Sequence, residues 1–247
     1  PMKRFLSLCL VLSAWTAGAQ TPNIFVPAAG SYGVATNWSL GHVPDSNDVA
    51  VISITNNAAA TNSAGTFAAG ALVMGASTRT GNLVVTGGQL SYGAASTIAT
   101  NGSTANLINN GGLVIFSNAL TLAISAGAAT FGSVTNQAGT LRVEGNLQLG
   151  VHLAGAGGAR GLLTVNGGTV TATANLATCN ASSYSYVRLN GGVLELAGVT
   201  HSGSATERAL FFNGGTLRAL RDNAAFLPVA ANAVQMTNAV QNGGAVI

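Results

Sequence analysis

Few residues in this chain could carry out chemistry. It contains six carboxylates in 247 residues, and Asp45 and Asp48 are the only two that lie close together in sequence. Two carboxylates on either side of a sugar are the arrangement used in glycoside hydrolysis. The segment Asp45-Ser46-Asn47-Asp48 also offers the hard oxygen ligands that calcium prefers, so the candidate calcium ligands are Asp45, Asn47 and Asp48. A simpler hypothesis is a turn after Pro44 in which these side-chain oxygens accept hydrogen bonds from nearby amides.

Other catalytic arrangements have no matching pattern in the sequence. The histidines at 42, 152 and 201 are far apart, and no His-x-x-x-His or Cys-x-x-Cys spacing occurs, so we expect no transition-metal site and no cofactor. No nucleophile-elbow pattern is present, and the glycine-rich segment 155–160 lacks the Lys-Ser/Thr of a phosphate loop. Cys179 has no second cysteine after residue 9 to pair with. The sequence therefore predicts a protein that is not an enzyme.

The charge balance argues against nucleic acid as a partner. The formal net charge is +3, but Lys3 and Arg4 supply two of the nine basic residues and lie in a segment that we expect to be removed. The closest remaining basic pair is Arg218 and Arg221, and phosphate binding needs a larger patch. We therefore predict that the chain does not bind nucleic acid.

Residues 1–19 have the features of a secretory signal peptide, in the usual order. Lys3 and Arg4 form the positive start, residues 5–14 form an apolar run too short to span a bilayer, and Ala17-Gly18-Ala19 is a small-x-small cleavage site. Cleavage there leaves Gln20 as the first residue of the mature chain. The sequence thus predicts export by the Sec route, through the periplasm, to the outer surface or the extracellular space.

A unit of two alternating strands around a glycine pair recurs from residue 83 onward. The second glycines of these pairs, at 88, 112, 168, 192, 215 and 244, together with the single Gly139 of a weaker copy, are 23 to 29 residues apart. Glycine reaches positive φ without steric cost, and asparagine tolerates it better than most residues, so Asn-Gly predicts a sharp turn between strands. The predicted structural turn residues are Asn110, Gly111, Gly112, Asn166, Gly167, Gly168, Asn190, Gly191, Gly192, Asn213, Gly214, Gly215, Asn242, Gly243 and Gly244.

Equivalent positions of successive units carry equivalent residue types, which predicts a continuous stacked core. The inward column is Leu90, Val114, Leu141, Val170, Leu194, Leu217 and Val246, and the outward column is Ser91, Ile115, Arg142, Thr171, Glu195 and Arg218. A coil of about 26 residues fits a three-sided parallel β-helix. In that register Glu195 lies beside Arg218 on the adjacent coil as an exposed pair. Hairpins packed into an antiparallel sandwich or barrel are the alternative that Asn-Gly turns leave open.

The chain divides into the signal peptide, an N-terminal cap over residues 20–60 and solenoid repeats over residues 61–247, which we expect to be truncated at the C-terminus. The segment from Asn37-Trp38-Ser39-Leu40-Gly41-His42-Val43-Pro44 to Asp48, with the recurring Asn-Gly-Gly-x-Leu unit, resembles bacterial autotransporter-associated β-strand repeat proteins. The resemblance implies an all-β, right-handed parallel β-helix, export through the inner membrane and a passenger role at the cell surface. Anchoring in the outer membrane is then expected only through a missing C-terminal part.

Three functions remain in competition. The first is an exported structural or adhesive surface passenger without catalysis, whose partner is unknown and could be a polysaccharide or another cell's surface. A carbohydrate-binding solenoid predicts exposed aromatic residues in a line along one face, and Tyr184 and Tyr186 are its candidates. A polysaccharide-degrading β-helix enzyme predicts at least three charged residues in one groove, for which Arg188, Glu195 and Arg218 could line a face.

Overall fold

The computed structural model describes residues 20–53, 57–76, 78–153, 158–178, 183–201, 206–227 and 236–247. Over these ranges the chain is all-β, apart from a 3-10 turn at Ala35–Asn37, and it forms a parallel β-solenoid of about eight turns. The parallel pairing excludes the antiparallel sandwich. No helix within the described ranges is long and apolar enough to cross a membrane. The predicted signal peptide, Cys179 and part of the segment 155–160 lie outside the described residues.

Twenty strands follow one another within the described ranges. They are β1 (Thr21–Phe25), β2 (Ala29–Ser31), β3 (Asp48–Ile52), β4 (Ala58–Asn62), β5 (Thr66–Ala69), β6 (Ala71–Met74), β7 (Thr80–Val85), β8 (Gln89–Tyr92), β9 (Ser96–Thr100), β10 (Thr104–Phe116), β11 (Leu120–Ser125), β12 (Thr130–Val143), β13 (Leu147–His152), β14 (Ala159–Val165), β15 (Thr169–Thr178), β16 (Tyr184–Leu189), β17 (Val193–His201), β18 (Glu207–Phe212), β19 (Thr216–Ala219) and β20 (Thr237–Val240). β10, β12, β15 and β17 are long because each turns a corner and continues in the next sheet.

The pairings divide these strands into three parallel sheets, one for each side of the solenoid. Sheet 1 contains β2, β4, β7, the first halves of β10 and β12, β14, β16, β18 and β20. Sheet 2 contains β5, β8, the second halves of β10 and β12, the first parts of β15 and β17, and β19. Sheet 3 contains β1, β3, β6, β9, β11, β13 and the last parts of β15 and β17. One coil visits the sheets in the order 1, 2, 3.

The predicted glycine turns lie at the corner between sheets 1 and 2, and each pair has one glycine at positive φ. These glycines are Gly111 (130°), Gly168 (63°), Gly192 (63°), Gly214 (102°) and Gly244 (78°). The paired asparagines differ from the expectation, because none of them has positive φ. Their amides instead join neighbouring coils: Asn190 Nδ2 donates to Asn166 Oδ1 at 2.8 Å, and Asn166 Nδ2 donates to Gln137 Oε1 at 3.0 Å.

The predicted inward column forms part of the core in every coil except the last. Its members from Leu90 to Leu217 are at most 1% exposed and are register partners of one another. The prediction is wrong for Val246, which is 58% exposed. Val246 bridges Thr216 rather than Leu217, and a shift of one residue moves a side chain to the opposite face of a sheet.

The predicted outward column is correct in register, and Glu195 and Arg218 are partners on adjacent coils. They form a salt bridge. The expectation that both are exposed is wrong for Glu195, which is 8% exposed. Its Oε2 also accepts a hydrogen bond of 2.8 Å from Thr171 Oγ1 on the preceding coil. The carboxylate is thus held between two coils.

The outer edge of β1 is covered by a later segment of the chain. Ser39 N donates to Ile24 O and Val26 N donates to Asn37 O, both at 2.9 Å, around an antiparallel bridge between Phe25 and Trp38. Trp38 is buried, and its indole N–H donates to Tyr32 O at 2.7 Å. This segment gives the first strand of sheet 3 hydrogen-bond partners on both sides, which an open edge lacks.

Replacing a corner glycine should destabilise the solenoid more than replacing a glycine of similar φ in open space. A Cβ on Gly192 would lie 2.5 Å from Gly168 O, whereas a Cβ on Gly41 (φ 72°) would meet nothing within 4 Å. We expect Gly41→Ala to cost about 1 kcal/mol of unfolding free energy. Gly192→Ala should cost about 3 kcal/mol or more, because overpacking of backbone is added to the same strain.

Denaturant unfolding followed by circular dichroism measures both costs. Equal destabilisation by the two variants would show that φ alone, and not contact between coils, requires glycine at position 192.

Candidate functional site

The outward positions of sheet 1 change in character along the solenoid. In β7 and the first half of β10 these positions are small, polar or aliphatic: Thr80, Asn82, Val84, Thr104, Asn106 and Ile108. From β12 onward they include six large aromatic or cationic side chains: Phe131, Arg160, Tyr184, Tyr186, Arg188 and Phe211. All six are half-buried or exposed. We name these six residues the aromatic–arginine face.

The register of the parallel strands brings these side chains together. Phe131, Arg160 and Tyr184 occupy the same position on three successive coils, and Arg188 is the register partner of Phe211. Neighbouring strands lie about 4.8 Å apart, so residues in one column are in contact range. The sheet, rather than any single loop, therefore positions the face.

Tyr184 lies at the centre of this face and neighbours two of its other members. The Arg160 guanidinium carbon lies 4.6 Å from the centre of the Tyr184 ring, a cation–π geometry. The rings of Tyr184 and Tyr186 are close to parallel, with centroids 6.4 Å apart and planes at 24°. Two aromatic planes thus stand side by side in partial contact with solvent.

Tyr186 is held as a hydrogen-bond donor. Its hydroxyl donates to Glu207 Oε2 at 2.8 Å. Removal from solvent and this hydrogen bond to Glu207 raise the pKa of Tyr186 to about 12. The phenol therefore keeps its proton at neutral pH, a state suited to binding and unsuited to acting as a general base.

A shallow depression lies on either side of the tyrosine pair. One, of about 390 Å³, is lined by Thr104, Ala129, Thr130, Phe131 and Arg160. The other, of about 260 Å³, is lined by Arg188, Asn190, Phe211 and Gln241. Each depression therefore has one aromatic ring and one arginine in its wall.

The two arginines of the face differ from the others in their charge environment. Among the described residues, salt bridges join Arg142 to Glu144 and Arg218 to Glu195 on or beside sheet 2, but no salt bridge involves Arg160 or Arg188. Glu207 is the only acid among the described positions of sheet 1. The aromatic–arginine face is therefore a region of net positive charge with two available guanidinium groups.

The structure brings some of the sequence-predicted site residues together and separates others. Tyr184 and Tyr186 share one surface. The charged groove considered for a degrading enzyme does not form from its predicted members, because Arg188 is in sheet 1 whereas Glu195 and Arg218 are in sheet 2. Sequence reasoning missed Arg160, Phe131 and Phe211. Alignment of the repeats could have identified them. It places each of them three residues before, or one residue after, the inward leucine or valine of the sheet 1 strand.

Two of the candidate calcium residues, Asp45 and Asn47, lie with His42 in the loop before β3, and the third, Asp48, is the first residue of β3. Asp45 Oδ1 accepts a 2.8 Å hydrogen bond from Asn47 N, and Asp48 Oδ2 accepts one of 3.1 Å from Asp45 N. Asp48 Oδ2 also lies 2.9 Å from His42 Nε2 and is 3.5 Å from Asn23 Nδ2. These contacts have the geometry of the turn hypothesis, in which side-chain oxygens accept from nearby amides.

His42 is the member of this loop that sequence reasoning left out. Ligand atoms of His42, Asp45 and Asp48 all lie within 4.8 Å of one another, and no other cluster of three such residues occurs in the part of the chain that is described. The sequence feature that could have identified it is the three-residue spacing of His42, Asp45 and Asp48. The hydrogen bond with Asp48 raises the pKa of His42 above its ordinary value, since the carboxylate favours the protonated imidazole.

No protein-family model matches the chain, and neither the curated proteins nor the solved structures include one that matches it significantly. The resemblance to autotransporter-associated repeat proteins therefore stays a hypothesis. The observed fold agrees with it at the level of a parallel β-solenoid repeat protein.

The His42–Asp48 contact should make stability depend on pH in a specific direction. Because the pKa of His42 is raised in the folded chain, its contribution is fully present below the unfolded pKa of about 6.5 and is lost as pH rises through the folded pKa. We expect the melting temperature of the wild type to exceed that of His42→Gln at pH 6 and the difference to shrink above pH 8.

Thermal melts of the two proteins between pH 5.5 and 8.5 test this expectation. His152 and His201 are present in both proteins, so the comparison isolates the effect of His42. A difference that stays constant over this range would show that the imidazole does not interact with Asp48 as a cation.

Proposed function

We propose that this chain is an exported, non-catalytic structural or adhesive protein of the cell surface, built as a solenoid of β-strand repeats. The main support for the proposal is the regular stack of about eight parallel coils. In this stack the repeated residues form the paired strands, the corners between sheets and the buried core. What varies from coil to coil is the outward surface. A rod of this kind presents an extended surface to a partner, as stacked repeat proteins do.

The distribution of titratable groups supports a role without catalysis. Among the described residues the six acids are dispersed over the N-terminal loop and the start of β3, sheet 1, sheet 2 and the segments that follow β12 and β19, and only Asp45 and Asp48 lie in one cluster. Their carboxylate oxygens already accept hydrogen bonds from amides of the same loop. Tyr186, a titratable member of the aromatic–arginine face, has a raised pKa and retains its proton.

The proposal includes three finer features of the predicted architecture. Right-handed winding is supported by the strong preference of parallel strand crossovers for that hand. A capping role for residues 20–60 is supported by the segment that covers the outer edge of β1. Export is supported by the order of charged, apolar and small residues in segment 1–19. Membership of the autotransporter-associated repeat family rests on the combined motifs around Trp38 and the glycine turns.

Export gives the first test of the proposal. Expressed in a bacterial host, the full chain should appear outside the cytoplasm with Gln20 as its first residue, because the small-x-small site ends at Ala19. A double variant, Leu10→Arg with Leu12→Arg, should stay in the cytoplasm at full length, because charges interrupt the apolar run.

Cell fractionation and mass spectrometry of the N-terminus are the measurements. The matched control is Leu83→Ile with Leu107→Ile, which makes two conservative changes outside the signal and should leave export unchanged. An unprocessed wild-type chain that remains in the cytoplasm would contradict the proposal.

A further inference from the structure

We propose that the aromatic–arginine face binds a chain of an acidic polysaccharide that carries carboxylates. In this complex Tyr184 and Tyr186 pack against sugar rings, while Arg160 and Arg188 pair with carboxylates on either side of them. The inference rests on the proposed function, since a polysaccharide of this kind meets the protein outside the cell. It adds the chemical class of the partner and the surface that binds it.

The dimensions of the face fit an extended chain. Phe131 and Phe211 are separated by three strand spacings, roughly 14 Å, and the four residue steps from Tyr184 to Arg188 cover roughly 13 Å along the strand. The line from one depression, past the tyrosines, to the other therefore crosses the sheet diagonally over roughly 20 Å. Several linked sugars have this length, whereas a single small metabolite would occupy one depression only.

The chemistry of the face favours sugars. The C–H groups on one side of a pyranose ring pack on an aromatic plane, and two such planes stand side by side at Tyr184 and Tyr186. Asn190 and Gln241 line one of the depressions, and their side-chain amides offer hydrogen bonds to sugar hydroxyls.

The charge of the face selects an acidic polymer of moderate charge density. Arg160 and Arg188 have no salt-bridge partner among the described residues, and a guanidinium pairs with a carboxylate through two parallel hydrogen bonds. Two guanidinium groups about four residues apart along the strand direction match a polymer with one carboxylate on each sugar or every second sugar. A nucleic acid, with a charge about every 1.7 Å, needs a denser basic surface.

Binding of alginate by the purified protein tests the inference. The comparison ligand is carboxyl-reduced alginate, which is the same chain with hydroxymethyl groups in place of carboxylates. Titration calorimetry should show binding of alginate and at least about tenfold weaker binding of the reduced polymer, because the hydrogen bonds to charged groups are lost. The alginate chains should keep their length during the experiment.

Substitutions locate the binding surface. Arg160→Ala and Arg188→Ala should each weaken alginate binding about tenfold, whereas Arg142→Ala, which removes the same charge from sheet 2, should leave it unchanged. Tyr184→Ala should weaken binding of alginate by about the same factor, and Tyr184→Phe should retain it, because stacking needs only the ring. Circular dichroism checks the fold of each variant. If Tyr184→Ala does not fold, the exposed arginines still provide the test.

Four results would overturn the inference. They are the absence of alginate binding, equal binding of the carboxyl-reduced polymer, equal weakening by Arg142→Ala, and preference for dextran sulfate with no dependence on Tyr184. Shortening of the alginate would instead identify a degrading enzyme. If the protein binds alginate but is not exported, only the proposed location is wrong. If it is exported but does not bind alginate, only this inference is wrong.

Discussion

The solenoid depends on direct backbone contact between glycines of successive coils. At the corner between sheets 1 and 2, Gly168 O accepts a hydrogen bond of 2.9 Å from Val193 N on the next coil. The same oxygen would lie 2.5 Å from a Cβ on Gly192. The hydrogen bond therefore requires glycine at position 192, because successive coils can pair across this corner only where no side chain lies between them. Gly65 O and Gln89 N repeat the arrangement at 2.8 Å near the start of the stack.

A second column of tight contacts sets the opposite corner, between sheets 3 and 1. Five successive coils have a residue with φ between 63° and 70° in sheet 3: Ser53, Gly75, Ala99, Ala123 and Gly150. Gly132 and Gly161 of sheet 1 face this column, and a Cβ on Gly161 would lie 2.6 Å from Gly150 N. Two narrow corners make the cross-section small. Leucine, valine and alanine make up most of the interior, and the buried aromatic residues of the core are Phe25, Tyr32, Trp38, Tyr92, Phe116 and Phe212.

The sequence predicted the parts of the fold that repeat, for a physical reason. A stack of equivalent positions repeats the same environment, so the column from Leu90 to Leu217 and the pairing of Glu195 with Arg218 follow from alignment alone. Features that depend on the three-dimensional surroundings of a residue could not be predicted from the alignment. The burial of Glu195 depends on Thr171 one coil away, and the positive φ of Ala99 and Ala123 has no residue-type signal, since alanine rarely adopts it.

The candidate site was predictable only in part, because its residues come from different repeats. Tyr184 and Tyr186 are neighbours in sequence and could be singled out. Arg160 belongs to the glycine-rich segment 155–160, and its contact with Tyr184 exists only because parallel strands bring residues 24 positions apart into register. Likewise the grouping of His42 with Asp48 depends on a loop that folds back on itself. Both are contacts that residue types cannot reveal without a register or a loop path.

Two of the four strands that carry the aromatic–arginine face, β16 and β18, also depart from the repeat on their inner side. The inward position facing the sheet 3 corner is glycine or alanine in β7, β10, β12 and β14, but becomes Ser185 in β16 and Arg208 in β18. Ser185 Oγ donates to Leu149 O at 2.7 Å, and Arg208 is 1% exposed. A small residue at this position would be sufficient for the coils to stack, whereas a guanidinium in the interior carries a desolvation cost. Natural sequences violate the local rules of their fold mainly at functional sites. In β16 and β18 both the inward and the outward positions therefore depart from the repeat. This part of the solenoid, rather than its regular first half, is where a requirement other than stacking has shaped the sequence.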